Sequence, residues 1–331
     1  VFPIQIRLQS IQILFACAVT ALGGCSWYGF GDTKKDEMTQ ELTERARRSE
    51  EAGDLSQATD SLSRVAQIDT ADVAARIELA RLHREAGRID EAILSLREVV
   101  ALTPDDSRAW LELGQLYYQK ENDVTANACL DAALQLDPHL ITALMIRGEI
   151  EERRQQETRA LEFYHRVLSL EENYPPALLK IARIQMRHNE SVRASVLLRS
   201  VCYCRGATPG QIAEARWLLG LSYGQQLRWD DAIESMSIAI EIMEQPGPDD
   251  LYYLAYAQYQ SEQHLEVEQT LDRLLALQPN HGPARSLKQA AVREEKRLLG
   301  EIQQASGIEP IPPPPPLGWT RIQGKARVAD R

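Results

Sequence analysis

Residues 107–140 read SRAWLELGQLYYQKENDVTANACLDAALQLDPHL, and this stretch decides the fold. Moving outward from it in steps of 34 residues finds the same arrangement again: Ala58, Ala92, Ala126, Ala160 and Ala194 are evenly spaced. Four residues after each stands a large side chain (Leu62, Leu96, Leu130, Tyr164, Leu198). Three further on come Val65, Val99, Ala133, Val167 and Val201. Leu79-Ala80, Leu113-Gly114 and Ile181-Ala182 recur upstream of the alanine, and Pro104 and Pro138 close two of the units. A fixed period of this length marks an array of stacked supersecondary units.

The phase shifts once. Ala232 lies 38 residues beyond Ala194, so four residues are inserted, and the Cys202–Gly210 stretch is where the sequence places them. Leu219-Gly220, Tyr223, Ala232, Met236 and Ala239 then restore the pattern. A seventh unit ends with Leu271, Leu274 and Pro279, with Val267 in place of the alanine.

The series resembles the tetratricopeptide repeat family. Trp110, Leu113, Gly114, Tyr117, Ala126, Leu130, Ala133 and Pro138 of the third unit match its pattern nearly throughout. The resemblance implies an all-α, right-handed superhelical solenoid of about seven helical hairpins. The units run 39–72, 73–106, 107–140, 141–174, 175–212, 213–247 and 248–281. Residues 282–305 are expected to form a capping helix. The physical reading agrees: each unit is two amphipathic helices joined by a short turn, such as Ala-Gly-Asp at 52–54 or Ala-Gly-Arg at 86–88. A proline after the second helix stops it. One unit cannot bury its apolar stripe alone, so the units are expected to stack as a single elongated array.

In this family the first helix of each unit lines the concave side. Carried over residue by residue, the early units present Thr43, Arg47, Glu50, Ile77, Arg81 and Arg84. The last two present Trp217, Leu221, Tyr252, Tyr256 and Tyr259, and these five with Arg183 are the candidate partner-binding groove. Tyr252, Tyr256 and Tyr259 share one helical face at i, i+4 and i+7. Tyrosine and tryptophan suit a peptide site because they bury large area at little rotamer cost. The same spacing also fits aromatics packed between repeats, and both readings stand at this point.

Residues 1–24 read as a lipoprotein signal peptide, with the apolar run IQILFACAVTALGG at 11–24. That run is shorter than the ~20 residues a membrane span needs. Leu22, Gly23, Gly24 and Cys25 resemble the bacterial lipoprotein processing box. The resemblance implies cleavage before Cys25, lipid on its thiol and amino group, and, with Ser26 next, a periplasm-facing anchor in the outer membrane. Residues 25–38 are expected to be a lipidated tether. At the other end, 306–331 is expected to be a disordered, proline-rich tail in which Pro312–Pro316 forms a polyproline II rod. Alternatively, this mildly basic tail contacts a partner, an anionic wall polymer or the solenoid itself.

Thirty-seven basic against 48 acidic residues give −11, which counts against a nucleic-acid binder. Aromatics at 6% are too few for a β-sandwich or barrel, and five cysteines are too few for a disulfide scaffold. The six histidines are scattered over different units, and His83 stands where Tyr117 and Tyr223 stand, so packing explains it. No metal, phosphate-loop or nucleophile motif is found, and Cys202 and Cys204 alone make a weak zinc site. The expectation is a non-enzymatic, lipid-anchored scaffold that binds a protein or peptide, without cofactor or metal. Such a scaffold fits envelope, pilus or secretion-complex assembly. The rival readings are a soluble cytoplasmic scaffold with a mis-assigned N-terminus and, more remotely, an enzyme.

Overall fold

The computed structural model describes residues 28–243 and 245–298. The signal-like run, the Leu22–Cys25 box and the proline-rich tail lie outside the described residues. Among the described residues fifteen helices follow one another in chain order. They are α1 (Tyr28–Glu51), α2 (Leu55–Ile68), α3 (Val73–Glu85), α4 (Ile89–Leu102), α5 (Ser107–Gln119), α6 (Asp123–Leu136), α7 (Ile141–Arg153) and α8 (Glu157–Leu170). After them come α9 (Pro175–Arg187), α10 (Ser191–Cys202), α11 (Pro209–Gln225), α12 (Trp229–Ile242), α13 (Pro248–Gln260), α14 (His264–Leu277) and α15 (Gly282–Leu298). The architecture is therefore all-α: seven two-helix hairpins followed by a single helix.

The chain divides into two compact units after Ile146, a point inside α7. The single array expected from the period is thus described here as two bodies. In the first, α1 packs on α2, α3 on α4 and α5 on α6, and each hairpin packs on the next. In the second, α9 packs on α10, α11 on α12 and α13 on α14, with α15 laid against α14 and α13.

The repeated residues hold the hairpins together. All six alanines of the period, Ala58 to Ala232, and Val267 in the seventh unit are fully buried. Leu62, Leu96, Leu130, Tyr164, Leu198, Met236 and Leu271, four residues on, are at most 3% exposed. Burying a side chain of this size contributes about 2 kcal/mol. The first helix approaches closely at its eighth position. A Cβ at Gly114 would stand 2.9 Å from Leu130 Cγ, and one at Gly220 would stand 3.1 Å from the Ala232 carbonyl oxygen. Where the facing residue is Leu62, Leu96, Leu198 or Leu271, the eighth position holds alanine instead: Ala46, Ala80, Ala182 and Ala255.

Every hairpin turn closes the same way. Gly53, Gly87, Glu121, Gln155, Asn189, Leu227 and Glu262 occupy one register position, and all seven have φ between 58° and 77°. The amide after each donates to the carbonyl five residues back, as in Arg88 to His83 at 2.8 Å and Arg228 to Tyr223 at 3.0 Å. This Schellman-type closure satisfies carbonyls that the helix end would leave bare. Only glycine adopts such a φ freely, so the five other residues are held there by the hairpin.

Two boundaries differ from expectation. Helix α1 begins at Tyr28, so residues 28–38, expected to be a tether, are helical. The four-residue insertion is distributed: α10 has 12 residues instead of the 14 of α8, the linker grows from four residues to six, and α11 has 17 instead of 13. Thr208 and Gln211 form a capping box at the new start of α11, with Pro209 at its first position. Proline is tolerated there because that amide would have no intrahelical partner.

Candidate functional site

Helices α9, α11 and α13 are the first helices of the last three hairpins, and the expected partner-binding residues lie on them. Pro248 starts α13, and the Asp250 carboxylate accepts from the Gly247 amide at 2.7 Å, which fixes the helix start. Four aromatic side chains, Trp217, Tyr253, Tyr256 and Tyr259, are half-buried, resting on the core with part of each ring in solvent. Trp217 meets Tyr253 edge-on, with centroids 6.2 Å apart, and Tyr256 meets Trp229 in the same manner at 6.0 Å. Tyr259 stacks edge-on against His264 at 6.5 Å. Such pairs contribute ~0.5–1.5 kcal/mol beyond area burial and hold the rings in place.

Two of the six expected residues are inside the protein. Tyr252 is 1% exposed, its ring 5.3 Å from His281 and 6.1 Å from Tyr253, and Leu221 is 6% exposed. Both belong to the core cluster of this unit, so neither is open to a partner at the surface. The reason for Tyr252 is that His281, from the linker before α15, lies over its ring. The Tyr252 hydroxyl is buried without a hydrogen-bond partner among the described residues. Burial, with Tyr256 and Tyr253 nearby, raises its pKa above the ordinary phenol value.

Arg183 on α9 is 20% exposed and pairs with Glu214 at the start of α11. Its charge is thereby spent within the protein rather than offered whole to a ligand. The ladder continues next to it: Lys180 bonds Glu149 at 2.8 Å, and Arg187 reaches Glu152 at 3.0 Å and Glu157 at 2.9 Å. An aromatic strip on α11 and α13 thus adjoins a neutralised charged strip on α9.

Tyr253 and Trp229 were missed by the sequence reading. Tyr253 stands one place off the inward phase, and Trp229 is the first residue of a second helix; the only signal was the density of aromatics in these two units. In the first unit the equivalent surface is charged: Arg81 pairs with Glu50, Glu78 and Glu85, and Arg47 with Glu44 and Glu51. Among the described residues no group of three or more His, Cys, Asp or Glu side chains is placed to hold a metal ion. No described helix is long and apolar enough to cross a membrane. Cys129 is buried, and burial pushes its thiol up to about 11.

A family model described as tetratricopeptide repeat matches residues 50–110 and 84–145. The hairpins outside that span repeat the same buried register and the same left-handed turn. The fold is that of a tetratricopeptide-repeat protein. Solved structures agree. A crystal structure of the C-terminal part of a tetratricopeptide-repeat protein from Cytophaga hutchinsonii is 15% identical, with a TM-score of 0.59 over 73% of this chain and 97% of that one. A tetratricopeptide-repeat protein from Parabacteroides merdae is 15% identical, with a TM-score of 0.54 over 77% of this chain and 99% of that one. The APC/C hetero-tetramer Cut9–Hcn1 gives 0.53 at 15% identity, over 72% of this chain and 48% of that one. No curated protein sequence matches the chain. Trp217 lies on α11 and Tyr253, Tyr256 and Tyr259 on α13, so the aromatic strip belongs to two hairpins and to neither alone.

Proposed function

We propose that this tetratricopeptide-repeat protein is a non-enzymatic protein–protein interaction scaffold, anchored by lipid on Cys25 to the periplasmic side of the bacterial outer membrane. It receives a protein or peptide segment on α11 and α13. The observation that carries the reading is the set of half-exposed rings Trp217, Tyr253, Tyr256 and Tyr259, held edge-on by neighbouring rings and histidine. Rigid aromatics of this kind supply contact area without a large ordering cost, which is what an interaction surface needs. Leu22-Gly23-Gly24-Cys25 supports the anchor.

Two experiments test the two halves separately. A photo-crosslinking residue in place of Tyr256 should give one discrete adduct in cells, and the same residue in place of Arg47 should give none. Adducts from Arg47 only would move the partner site to the first unit. For the anchor, the mature protein should carry two or three acyl chains at Cys25 by mass spectrometry, and Cys25→Ala should leave the membrane fraction or stay uncleaved. An unmodified Cys25 in native membranes would overturn it.

A further inference from the structure

Helix α15 repeats one face of a first helix and not the other. Ala284, Leu287 and Ala291 are buried against the preceding hairpin, at the register held in α11 by Ala215, Leu218 and Ser222. The opposite face of α11 carries Leu219 and Gly220, which receive Ala232 and Met236 of α12. At those two positions α15 has Lys288 and Gln289. All seven hairpins have alanine or glycine where Gln289 stands, so this face of α15 cannot take a closely packed helix.

What remains is a cleft of about 410 Å³ lined by Leu275 of α14 and by Arg285, Lys288, Gln289, Val292 and Arg293 of α15. Its floor is apolar and its rim is basic. Lys288 is engaged by Asp272 at 2.5 Å, and Arg285 by the side chain of Asn280 at 3.3 Å, while Arg293 is exposed. Such a cleft suits an extended, apolar chain with negative charge, and Gln289 keeps a helix from packing closely in it.

We propose that the occupant is the chain's own segment Ile308–Pro316, IEPIPPPPP. Three facts point to it. Proline has a fixed φ and no amide hydrogen, so a proline run favours polyproline II, which is narrower than a helix and has no internal hydrogen bonds. The segment carries Glu309 and no basic residue, complementing the rim. The segment is also within reach. Gln289 lies nine residues before the end of α15, about 14 Å at 1.5 Å per helical residue. The ten residues from Leu298 to Ile308 span up to about 33 Å when extended, which covers a reversal and the return. Tethering at this distance gives an effective concentration of order mM, so even a weak contact is occupied.

The test uses full chains and a labelled synthetic peptide of residues 305–320, followed by fluorescence anisotropy. The Ile308→Asp/Ile311→Asp chain, its own segment disabled, should bind the peptide at least tenfold more tightly than the wild-type chain, whose cleft is filled. Adding Arg285→Glu and Arg293→Glu to the disabled chain should cut binding at least tenfold, with circular dichroism unchanged. Equal binding by wild-type and disabled chains would show the cleft empty and overturn the proposal. Absence of binding by the disabled chain would overturn it as well. A wild-type dimer in sedimentation that Ile308→Asp/Ile311→Asp dissolves would place the segment on a second copy, against the intrachain form.

Discussion

The ring of Tyr164 rests on the backbone of Gly148: a Cβ built there would stand 2.8 Å from Cζ and 2.9 Å from Cδ1. The Tyr164 hydroxyl donates to Glu152 at 2.7 Å, which pins the ring from its far end. The ring cannot withdraw without breaking that bond, so the fourth hairpin is locked at its crossing point.

Gly148→Ala therefore sets two effects against each other. Alanine gains up to ~1 kcal/mol of helix propensity, while overpacking costs ~1–3 kcal/mol. Net destabilisation of about 1–2 kcal/mol is expected, readable as a lower urea midpoint. Adding Tyr164→Leu should recover part of it, because alanine over leucine is the pairing of Ala80 with Leu96 and Ala182 with Leu198. Additive losses in the double variant would mean the two residues are not in contact.

Leu227 tests the turn geometry. Its φ is 59° and its side chain is 72% exposed, so the leucine contributes little packing in return for its strain. Leu227→Gly should stabilise the protein by about 1 kcal/mol, since glycine escapes the ~1–2 kcal/mol penalty of the left-handed region but loses more chain entropy. Gly87→Ala, with φ 72° and open space around the added methyl, should cost about 1 kcal/mol from conformation alone. Thermal unfolding of the two variants should move in opposite directions.

His83 gives the stability a pH dependence. Its side chain is 9% exposed, and burial, with the Arg88 charge acting the same way, holds its pKa below the ordinary value. The unfolded chain takes up the proton near pH ~6.5 while the folded one resists it. The contribution is complete above that pH and is lost as the pH falls below it. His83→Tyr, which copies Tyr117 and Tyr223 at the same register, should flatten the acid side of the profile below about pH 6.5. A profile unchanged by the substitution would assign the slope to other groups.

For the partner surface, Tyr256→Ala should weaken a cross-linked partner at least ~30-fold, corresponding to ~2 kcal/mol for an anchoring aromatic. Arg47→Ala, whose guanidinium is already shared between Glu44 and Glu51, should cost less than ~5-fold. Tyr252→Phe is the internal control. Its hydroxyl has no partner among the described residues, so deletion should leave binding intact and stability equal or higher by about 1 kcal/mol. If Tyr252→Phe weakened the partner while Tyr256→Ala did not, the aromatic strip would be core and the contact elsewhere.

The hairpins were legible because Ala126, Leu130 and Ala133 and their repeats are buried, and the residues that replace them, Val267, Tyr164, Met236 and the valines, are apolar or aromatic too. A register fixes the direction of a Cα–Cβ bond but not what a later element lays over it. For that reason the spacing of Tyr252 leaves groove and packing both open, and His281, in the linker before α15, decides for packing by covering its ring. The left-handed turn position was legible at Gly53 and Gly87 but invisible at Glu121, Gln155, Leu227 and Glu262. There the hydrogen bonds of the turn override residue preference. The break in phase at Ala232 gave the size of the insertion but not its division among α10, the linker and α11.

A stack of hairpins has an edge at which growth can continue, and two copies meeting head to tail would polymerise if the rotation did not close. Lys288 and Gln289 decide against that on the α15 edge. A second molecule presenting an alanine-lined helix there would have to bury a charged ammonium, and it would meet the Gln289 amide where every internal seam has a methyl or a hydrogen. The protein therefore carries its own stop against filament formation, written in two side chains rather than in an added domain.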